Sequence, residues 1–533
     1  MTLRNVVCGS LVLIAFFALT KLRLVIAYPF PRNSDDANNF LAGIEMARGN
    51  WSLRGWIMAA DNLYFTDVLI DAVLSRLFGP QPELMLWHGA MVWALLVVAA
   101  TFLAAEGLGK RASLVAATTI TTLLALTVPL NDQTFSWQTL VASHAAQILL
   151  ALLVFGLAAT MATTPAKVKL YQSVCLTLLI LAGSFSDPIF VEMACLPILV
   201  TCFVRPLANL RGRATVVACV AVGFVAARLC IGMFHSHGGF ESLPMPISFA
   251  SFDDVINHLQ FAAQSLIKLL GADFTGTKLD GNLFNNAYIS LLRFPFLFFF
   301  VFALVATSIA LMRRLHSWPS SGDADTRPEF IDILLLFGAL LSALAIIVTT
   351  AIVDYTHVRY FIPATVFGTI LMARKCVRMR LFAFYVGIVF IGSLFFLLNI
   401  VSHGPREPMA AEKVSIQLRD TLQSLGLRHG YAGYWQSSII SMMSRQEIQV
   451  LALSPDAKSP YWWFTNLDWY KNASATWRSK IFFISTENPE VLNGLSHSAV
   501  IKRFGEPEQM LRVDSFVIDV YDNGDGSLDL PSG

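Results

Sequence analysis

The chain has 533 residues, of which 55% are hydrophobic and 14% are charged, and its formal net charge is +2. Soluble domains carry about 25% charged residues, so this composition excludes an ordinary soluble protein and indicates an integral membrane protein. The nearly balanced charge gives no argument for binding nucleic acid, so we expect membrane lipids and no nucleic acid as partners.

About eleven apolar stretches approach the roughly 20 residues that a helix needs to cross a bilayer. The stretches 189–204 and 360–374 are short, and tilted or half-buried helices are open alternatives there. No small-residue cleavage site follows the first stretch, so we predict a retained helix rather than a signal peptide. The windows are 5–27, 84–106, 112–130, 138–162, 170–187, 189–204, 214–234, 287–312, 331–353, 360–374 and 381–402.

Every second loop between these stretches is basic, from the loop with Lys110 and Arg111 to the loop with Arg378 and Arg380. By the positive-inside rule this places the N-terminus in the cytoplasm and exports loops 28–83 and 235–286 and the tail 403–533. The seven cysteines lie in or beside apolar segments without metal-binding spacing, which favours a bacterial inner membrane.

The first exported loop opens with adjacent acids. Pro29 and Pro31 stop the first helix, and we expect Ser34 to cap a second helix that carries Asp35 and Asp36 in its first turn. Helix capping on a wetted loop is one interpretation of the two aspartates. Because paired carboxylates at a membrane face are costly once they are shielded from water, a catalytic role is the other.

The second half of this loop, residues 51–78, is predicted to form helices that lie at the membrane interface. Aromatic residues such as Trp51 and Trp56 would then sit at headgroup depth. Three further acids in this segment are expected on a solvated helix face; they are Asp61, Asp67 and Asp71.

The chain is predicted to divide into a transmembrane domain, 1–402, and an exported α/β domain, 403–533. In the latter, residues 410–426 have helical periodicity, and 449–453, 480–485 and 512–522 resemble strands. We expect the end of the chain, NGDGSLDLPSG, to be disordered. Loop 235–286, with an amphipathic stretch near 252–270, is predicted to be a flap over the site.

Several motifs appear in a telling order. The acidic pair precedes DNLYFTDVLIDAVLSRLFG (61–79), GSFSDP follows at 183–188 and HVRYFIPA at 357–364. Over roughly residues 1–400 this order resembles the GT-C polytopic glycosyltransferases, such as protein O-mannosyltransferases and lipid A aminoarabinose transferases. The resemblance implies an α-helical polytopic membrane protein with about eleven transmembrane helices and a catalytic acidic pair in the first exported loop.

The resemblance also implies an inverting transfer of a sugar from a polyprenyl-phosphate donor to a hydroxyl group of a glycan, lipid or protein acceptor. The usual pair in the family is Asp-Glu, whereas this chain has Asp35 and Asp36, which leaves open which of them is the base. Arg359 fits the donor phosphate because its planar fork stays charged. Tyr360 and His357 are expected to help bind the head group.

These roles depend on one geometric expectation, namely that the acids and Arg359 meet in one outward-facing cavity. A snorkelling arginine at a helix end is the alternative for Arg359. Asp132 and Asp187 are candidates for a second acidic site, and both also suit plain turns. Asp132 and Asp35 together would suit a divalent cation such as Mg²⁺ or Mn²⁺, which prefers oxygen ligands.

Other polar residues in the apolar stretches favour structural roles. His235 and His237 form a weak metal pattern without a third ligand. His144 is expected to be packed rather than catalytic. Lys21 and Arg23 are expected to snorkel towards the interface, and contact with an anionic lipid head group is the alternative for them.

Two other functions fit a many-span chain. A transporter or flippase for lipid-linked sugars would show paired repeats and helices broken at mid-membrane, which the sequence lacks. A non-catalytic scaffold would leave the acidic pair and HVRYFIPA without a purpose. Glycosyl transfer is therefore the predicted function.

Overall fold

The computed structural model describes residues 3–127, 144–163, 168–204, 209–244, 247–275, 286–316, 327–352, 355–402, 407–492 and 494–531. The chain divides into two compact units. The first, which we term the span unit, comprises Met1–Ala27, Gly89–Leu229 and Pro246–Pro405. The second, the sheet unit, comprises Tyr28–His88, Cys230–Met245 and Arg406–Gly533. The sheet unit therefore joins the tail to two segments that precede it, which a division at residue 402 does not anticipate.

Helices account for most of the described chain before the tail. Those in the first 402 residues are α1 Leu3–Ala27, α2 Ser34–Ala47, α3 Leu69–Phe78, α4 Glu83–Ala105, α5 Lys110–Ile120, α6 Ala145–Thr163, α7 Leu170–Ser186, α8 Leu196–Val204, α9 Leu210–Ser236, α10 Phe252–Leu269, α11 Asn286–Arg293, α12 Pro295–His316, α13 Arg327–Ile347, α14 Ile362–Cys376 and α15 Arg380–Ser402.

Each of the apolar windows contains helix among its described residues. Seven of the described helices are long and apolar enough to cross a membrane. A helix is suited to the bilayer because its backbone hydrogen bonds are all satisfied internally. The predicted α-helical polytopic fold is confirmed, while the number of crossings stays a prediction. The seven are Gly9–Ala27, Glu83–Ala105, Ala145–Thr163, Leu210–Ser236, Ala287–His316, Arg327–Ile347 and Arg380–Asn399.

Buried arginines tie the helices of the span unit together. Arg293 donates to the Thr127 hydroxyl at 2.6 Å and to the Ser393 hydroxyl at 2.8 Å. Arg23 lies 4.7 Å from the centre of the Trp93 ring and is only 4% exposed. The prediction that Arg23 snorkels was therefore wrong, since an aromatic face within the unit takes up its charge.

The sheet unit contains two sheets. Strands β4, β3, β6, β8 and β7 form a five-stranded sheet in that order, and β2, β1 and β5 form a three-stranded one. The strands are β1 Trp56–Met58, β2 Glu241–Ser242, β3 His429–Ala432, β4 Gln449–Ala452, β5 Thr465–Asn466, β6 Lys480–Thr486, β7 Gln509–Val513 and β8 Phe516–Asp522. The tail helices are α16 Ala410–Ser424, α17 Tyr434–Met443, α18 Leu467–Thr476, α19 Pro489–Leu492 and α20 His497–Phe504.

The larger sheet is mixed. Strand β3 is parallel to β4 and β6, whereas β6, β8 and β7 are antiparallel. The predicted exported α/β domain thus has the expected secondary structure. However, the run 512–522, predicted as one strand, contains the end of β7, a turn and the whole of β8. Asp514 has φ +53°, and this left-handed residue turns the chain from β7 into β8.

Two further expectations for this unit need revision. Trp56 lies in a strand rather than in the predicted helix and is 1% exposed, so its ring packs inside the unit. Residues 523–531, for which the composition predicts disorder, make specific contacts. Asn523 donates its amide to the Trp477 carbonyl at 2.7 Å, and Leu530 is buried in the core around Tyr431.

Candidate functional site

The two candidate aspartates begin helix α2 in the sheet unit. The cap of this helix is Asn33 rather than the predicted Ser34, and its side-chain oxygen accepts a hydrogen bond from the Asp36 amide at 2.9 Å. Because another residue does the capping, the carboxylates of Asp35 and Asp36 are left for other partners. Both side chains are partly buried.

Helix α3 packs closely against α2 and supplies Asp71, and the π-helical turn Tyr64–Val68 that precedes α3 supplies Asp67. A Cβ atom at Gly43 of α2 would lie 2.6 Å from the Cβ atom of Asp71, so only glycine permits this approach. Asp67 and Asp71 are 1% and 2% exposed. The expectation that they lie on a solvated face was wrong.

His88, in the second turn of α4, is the basic member of a group that we term the acid cluster, which comprises Asp36, Asp67, Asp71 and His88. Its Nδ1 atom lies 2.7 Å from an Asp71 oxygen, and its Nε2 atom lies 3.6 Å from an Asp67 oxygen. The imidazole is itself buried. One ring thus bridges two buried carboxylates, which are costly to bury without a partner.

The acid cluster changes the acidity of its members. The pKa of Asp36 is raised well above its usual value, first by burial and then by the charges of Asp35, Asp71 and Asp67, with His88 acting in the opposite direction. Burial also raises the pKa of Asp71, against the charge and hydrogen bond of His88. Neighbouring carboxylates that cannot all ionise keep a proton among them.

Asp35 has a different environment. The Tyr434 hydroxyl donates a hydrogen bond to its carboxylate at 2.5 Å. Burial and then the charge of Asp35 raise the pKa of Tyr434 well above its usual value, so the phenol keeps its proton and acts as a donor. Asn38 and Ser438 join the same group, since the Asn38 side-chain amide donates to the Tyr434 hydroxyl at 3.4 Å and its side-chain oxygen accepts from the Ser438 hydroxyl at 2.7 Å.

The motif HVRYFIPA lies in the span unit, where Tyr355–Phe361 forms a 3₁₀ turn before α14. The Arg359 guanidinium lies 5.2 Å from the centre of the Tyr360 ring, and its Nη2 atom is 3.4 Å from the Tyr360 hydroxyl. The His357 ring packs against Tyr360 at 5.5 Å between centres. These three predicted residues are therefore neighbours.

Two residues from other motifs join this group. His144 Nδ1 lies 2.8 Å from an Asp187 carboxylate oxygen, and its ring lies 5.6 Å from that of Tyr360. Asp187 also accepts from the Ile189 amide at 2.9 Å, so it is at once a turn residue and the partner of a buried histidine. His144 is packed, as expected, and its link to Asp187 was not foreseen.

The described residues give no support to the predicted divalent-cation site at Asp35 and Asp132. Asp132 lies outside the described residues. Within the described part of the chain, no group of three His, Cys, Asp or Glu side chains is arranged to hold a metal ion. His235 and His237 are exposed on the last turns of α9 and just beyond it.

A third group, in the large sheet, looks like a catalytic triad but is not arranged as one. Ser485 donates to Asp519 at 2.9 Å, and both contact the same His497 nitrogen, Nδ1, at 3.2 and 3.0 Å. A nucleophile and an orienting acid must contact opposite ring nitrogens. With Ser485 and Asp519 fully buried, this group is a structural hydrogen-bond network.

No family model matches the chain, and no curated protein matches it. Among solved structures, it is similar to the crystal structure of ArnT from Cupriavidus metallidurans in the apo state, at 12% sequence identity and a TM-score of 0.45. The similarity covers 97% of this chain and 98% of that chain. At this level of similarity, substrate and reaction do not carry over from ArnT to this chain.

Proposed function

We propose that the protein is an inverting membrane glycosyltransferase that moves a sugar from a polyprenyl-phosphate donor to an acceptor hydroxyl. The observation that carries the proposal is the contrast between two adjacent aspartates, one held by a tyrosine and the other placed in a cluster of buried acids. Adjacent carboxylates in such different environments are typical of acid–base sites.

Asp35 is the general base in this proposal. The hydrogen bond from Tyr434 favours the ionised carboxylate and fixes its orientation. Asp36 is the member of the pair that keeps its proton more readily, because burial and the neighbouring acids raise its pKa. This division is our proposal for which of the two aspartates is the base.

Arg359 takes the donor phosphate. A guanidinium binds phosphate oxygens with two parallel hydrogen bonds and remains charged throughout the reaction. Tyr360 and His357 stand beside it and are suited to hold the same head group. Positive charge at this point stabilises the negative charge that grows on the leaving phosphate.

The proposed reaction is a single nucleophilic displacement at the anomeric carbon. The acceptor oxygen attacks the anomeric carbon while Asp35 takes its proton. The bond from the anomeric carbon to the phosphate oxygen breaks, and the lipid phosphate leaves with the electron pair. Attack from the face opposite the leaving group inverts the anomeric configuration. Each transfer thus releases the glycosylated acceptor and one polyprenyl phosphate, and Asp35 then gives its proton to water and is ready for another turnover.

The positive-inside pattern supports an exported site in a bacterial inner membrane, with the tail 403–533 outside and loop 235–286 as a flap. The acceptor is proposed to be a glycan, lipid or protein hydroxyl. Asp132 and Asp35 remain the proposed ligands of a divalent cation, Mg²⁺ or Mn²⁺, if transfer requires one.

The test is a transfer assay with purified protein and a panel of radiolabelled polyprenyl-phosphate sugars. One donor should release labelled product of inverted configuration. The variant Arg359→Ala should weaken donor binding, whereas the exposed Arg380→Ala, at the start of α15, should not. Unchanged donor affinity in Arg359→Ala would return Arg359 to a snorkelling role, and no transfer from any donor would refute the proposal.

A further inference from the structure

The sheet unit contains a cavity of about 230 Å³ outside the acid cluster. Its walls come from α2, from α17 and the loop that follows it, from β4 and from α18. Leu41 and a partly buried Trp469 give it apolar surfaces. A site of this size, below the 300–1,000 Å³ range of pockets for drug-sized ligands, accepts one small ring.

The charges at this cavity balance. Glu45 and Arg48 of α2 form an ion pair at 3.4 Å, and Arg48 also donates to the Gln446 side-chain oxygen at 3.1 Å. A pair of opposite charges has no net charge that would favour an anion or a cation. The cavity therefore suits a neutral, polar ligand.

The loop at the cavity mouth is held in an uncommon conformation. Arg445 and Gln446 have φ +55° and +65°, a left-handed region that residues other than glycine, Asn and Asp seldom adopt. The Gln446 amide is fixed by a 2.8 Å hydrogen bond to the Ser441 carbonyl at the end of α17. Backbone strain of this kind concentrates at ligand sites.

The side chain of Gln449, on the cavity wall, is available to bind a ligand. The carboxamide of Gln449 makes no hydrogen bond within the described chain, although its backbone amide donates to Arg428 at 2.7 Å. A primary amide offers two donors and an acceptor, which is the set that pairs with vicinal hydroxyl groups. Trp469 contributes indole surface to the wall, and a sugar ring packs on an indole through its C–H bonds.

We infer that this cavity binds a single neutral sugar ring. The apolar floor, the indole, the uncommitted amide and the balanced charges together match a ligand that is apolar on one face and hydroxylated at its edge. Asp36 and Glu45 are nine residues apart in α2, which places them on opposite faces of the helix at 3.6 residues per turn. The sugar site is therefore distinct from the acid cluster.

The experiment is saturation-transfer NMR on the full-length protein in detergent, with methyl glycosides of neutral hexoses and pentoses as probes. At least one glycoside should bind saturably, with a dissociation constant in the millimolar range. Gln449→Leu and Trp469→Phe should each weaken binding by about tenfold or more. Matched controls are Gln417→Leu and Trp462→Phe, which alter exposed residues of the same unit and should bind as the unaltered protein does.

The outcome is independent of sugar transfer. Binding should persist in Asp35→Asn, in which transfer is expected to be lost, so the two proposals fail separately. The inference is overturned if no glycoside binds saturably. It is also overturned by binding that Gln449→Leu and Trp469→Phe both leave unchanged, or by binding for which only charged ligands compete.

Discussion

The close packing of α2 on α3 makes Gly43 the position at which the acid cluster is most easily disturbed. The Cβ atom of an alanine at this position would lie 2.6 Å from Asp71 Cβ, 2.8 Å from the Ala72 amide nitrogen and 2.9 Å from the Asp71 carbonyl carbon. Two of these three atoms are backbone, so a side-chain rotation cannot relieve the overlap. Helix α3 must move, and Asp71 moves with it.

The expected magnitude follows from two opposing effects. In a helix interior, alanine stabilises relative to glycine by about 1 kcal/mol. Overpacking costs about 1–3 kcal/mol, and contact with rigid backbone puts this case at the upper end. Gly43→Ala should therefore lower the free energy of unfolding by about 2 kcal/mol.

Equilibrium unfolding in detergent micelles, followed by tryptophan fluorescence, measures this change. The matched control is Gly232→Ala in α9, where an added Cβ atom meets no atom within 4 Å, and which should leave stability unchanged or raise it. Transfer by Gly43→Ala should fall even where the protein remains folded, since Asp71 has shifted. A Gly43→Ala protein as stable as the Gly232→Ala control would refute the reasoning.

Three further predictions concern the side chains around the aspartates. Tyr434→Phe removes the donor to Asp35 and should lower kcat/KM by about tenfold or more while moving the acid limb of its pH profile to higher pH. His88→Asn leaves Asp71 buried without its cationic partner and should lower the free energy of unfolding by about 3–5 kcal/mol, measured by denaturation. Asp36→Asn should remove a loss of stability that the unaltered protein shows as pH rises, amounting to about 1.4 kcal/mol per pH unit between about pH 4 and the raised pKa.

The sign of the last effect follows from the direction of the pKa. Asp36 binds its proton more tightly in the folded state, so its contribution is complete below the unfolded pKa and is lost as pH rises through the folded one. Exposed Tyr28→Phe and His235→Asn serve as controls for the tyrosine and histidine variants. A parallel pH dependence in Asp36→Asn and the unaltered protein would contradict the assignment of Asp36.

The helical part of the fold was predictable because a long apolar run has few alternatives in a membrane. The small sheet was not. Strand β1 pairs with residues 241–242 and 465–466, and no local pattern in Trp56–Met58 announces partners so far along the chain. The turn at Asp514 lacks the glycine that usually marks a hairpin.

The acidic pair was predictable as a candidate site, but its surroundings were not. Asp67 and Asp71 are four residues apart, the spacing that puts side chains on one helix face. This spacing was a sequence signal that the two acids share a partner, which the structure shows to be His88. Tyr434 carried a weaker signal, the aromatic stretch GYAGYWQSS. Its contact with Asp35 spans 399 positions of the chain, and only the folded sheet unit brings the two together.

The assignment of Asp35 as base and Asp36 as proton holder is tested most directly by comparing Asp35→Asn with Asp36→Asn in one transfer assay, at equal expression. Asparagine imitates a protonated aspartic acid in shape and charge. Asp36→Asn should therefore keep its transfer rate within about tenfold, whereas Asp35→Asn should lose at least about 100-fold, the contribution of a general base. The reverse order, or unaltered rates in both variants, would contradict the account.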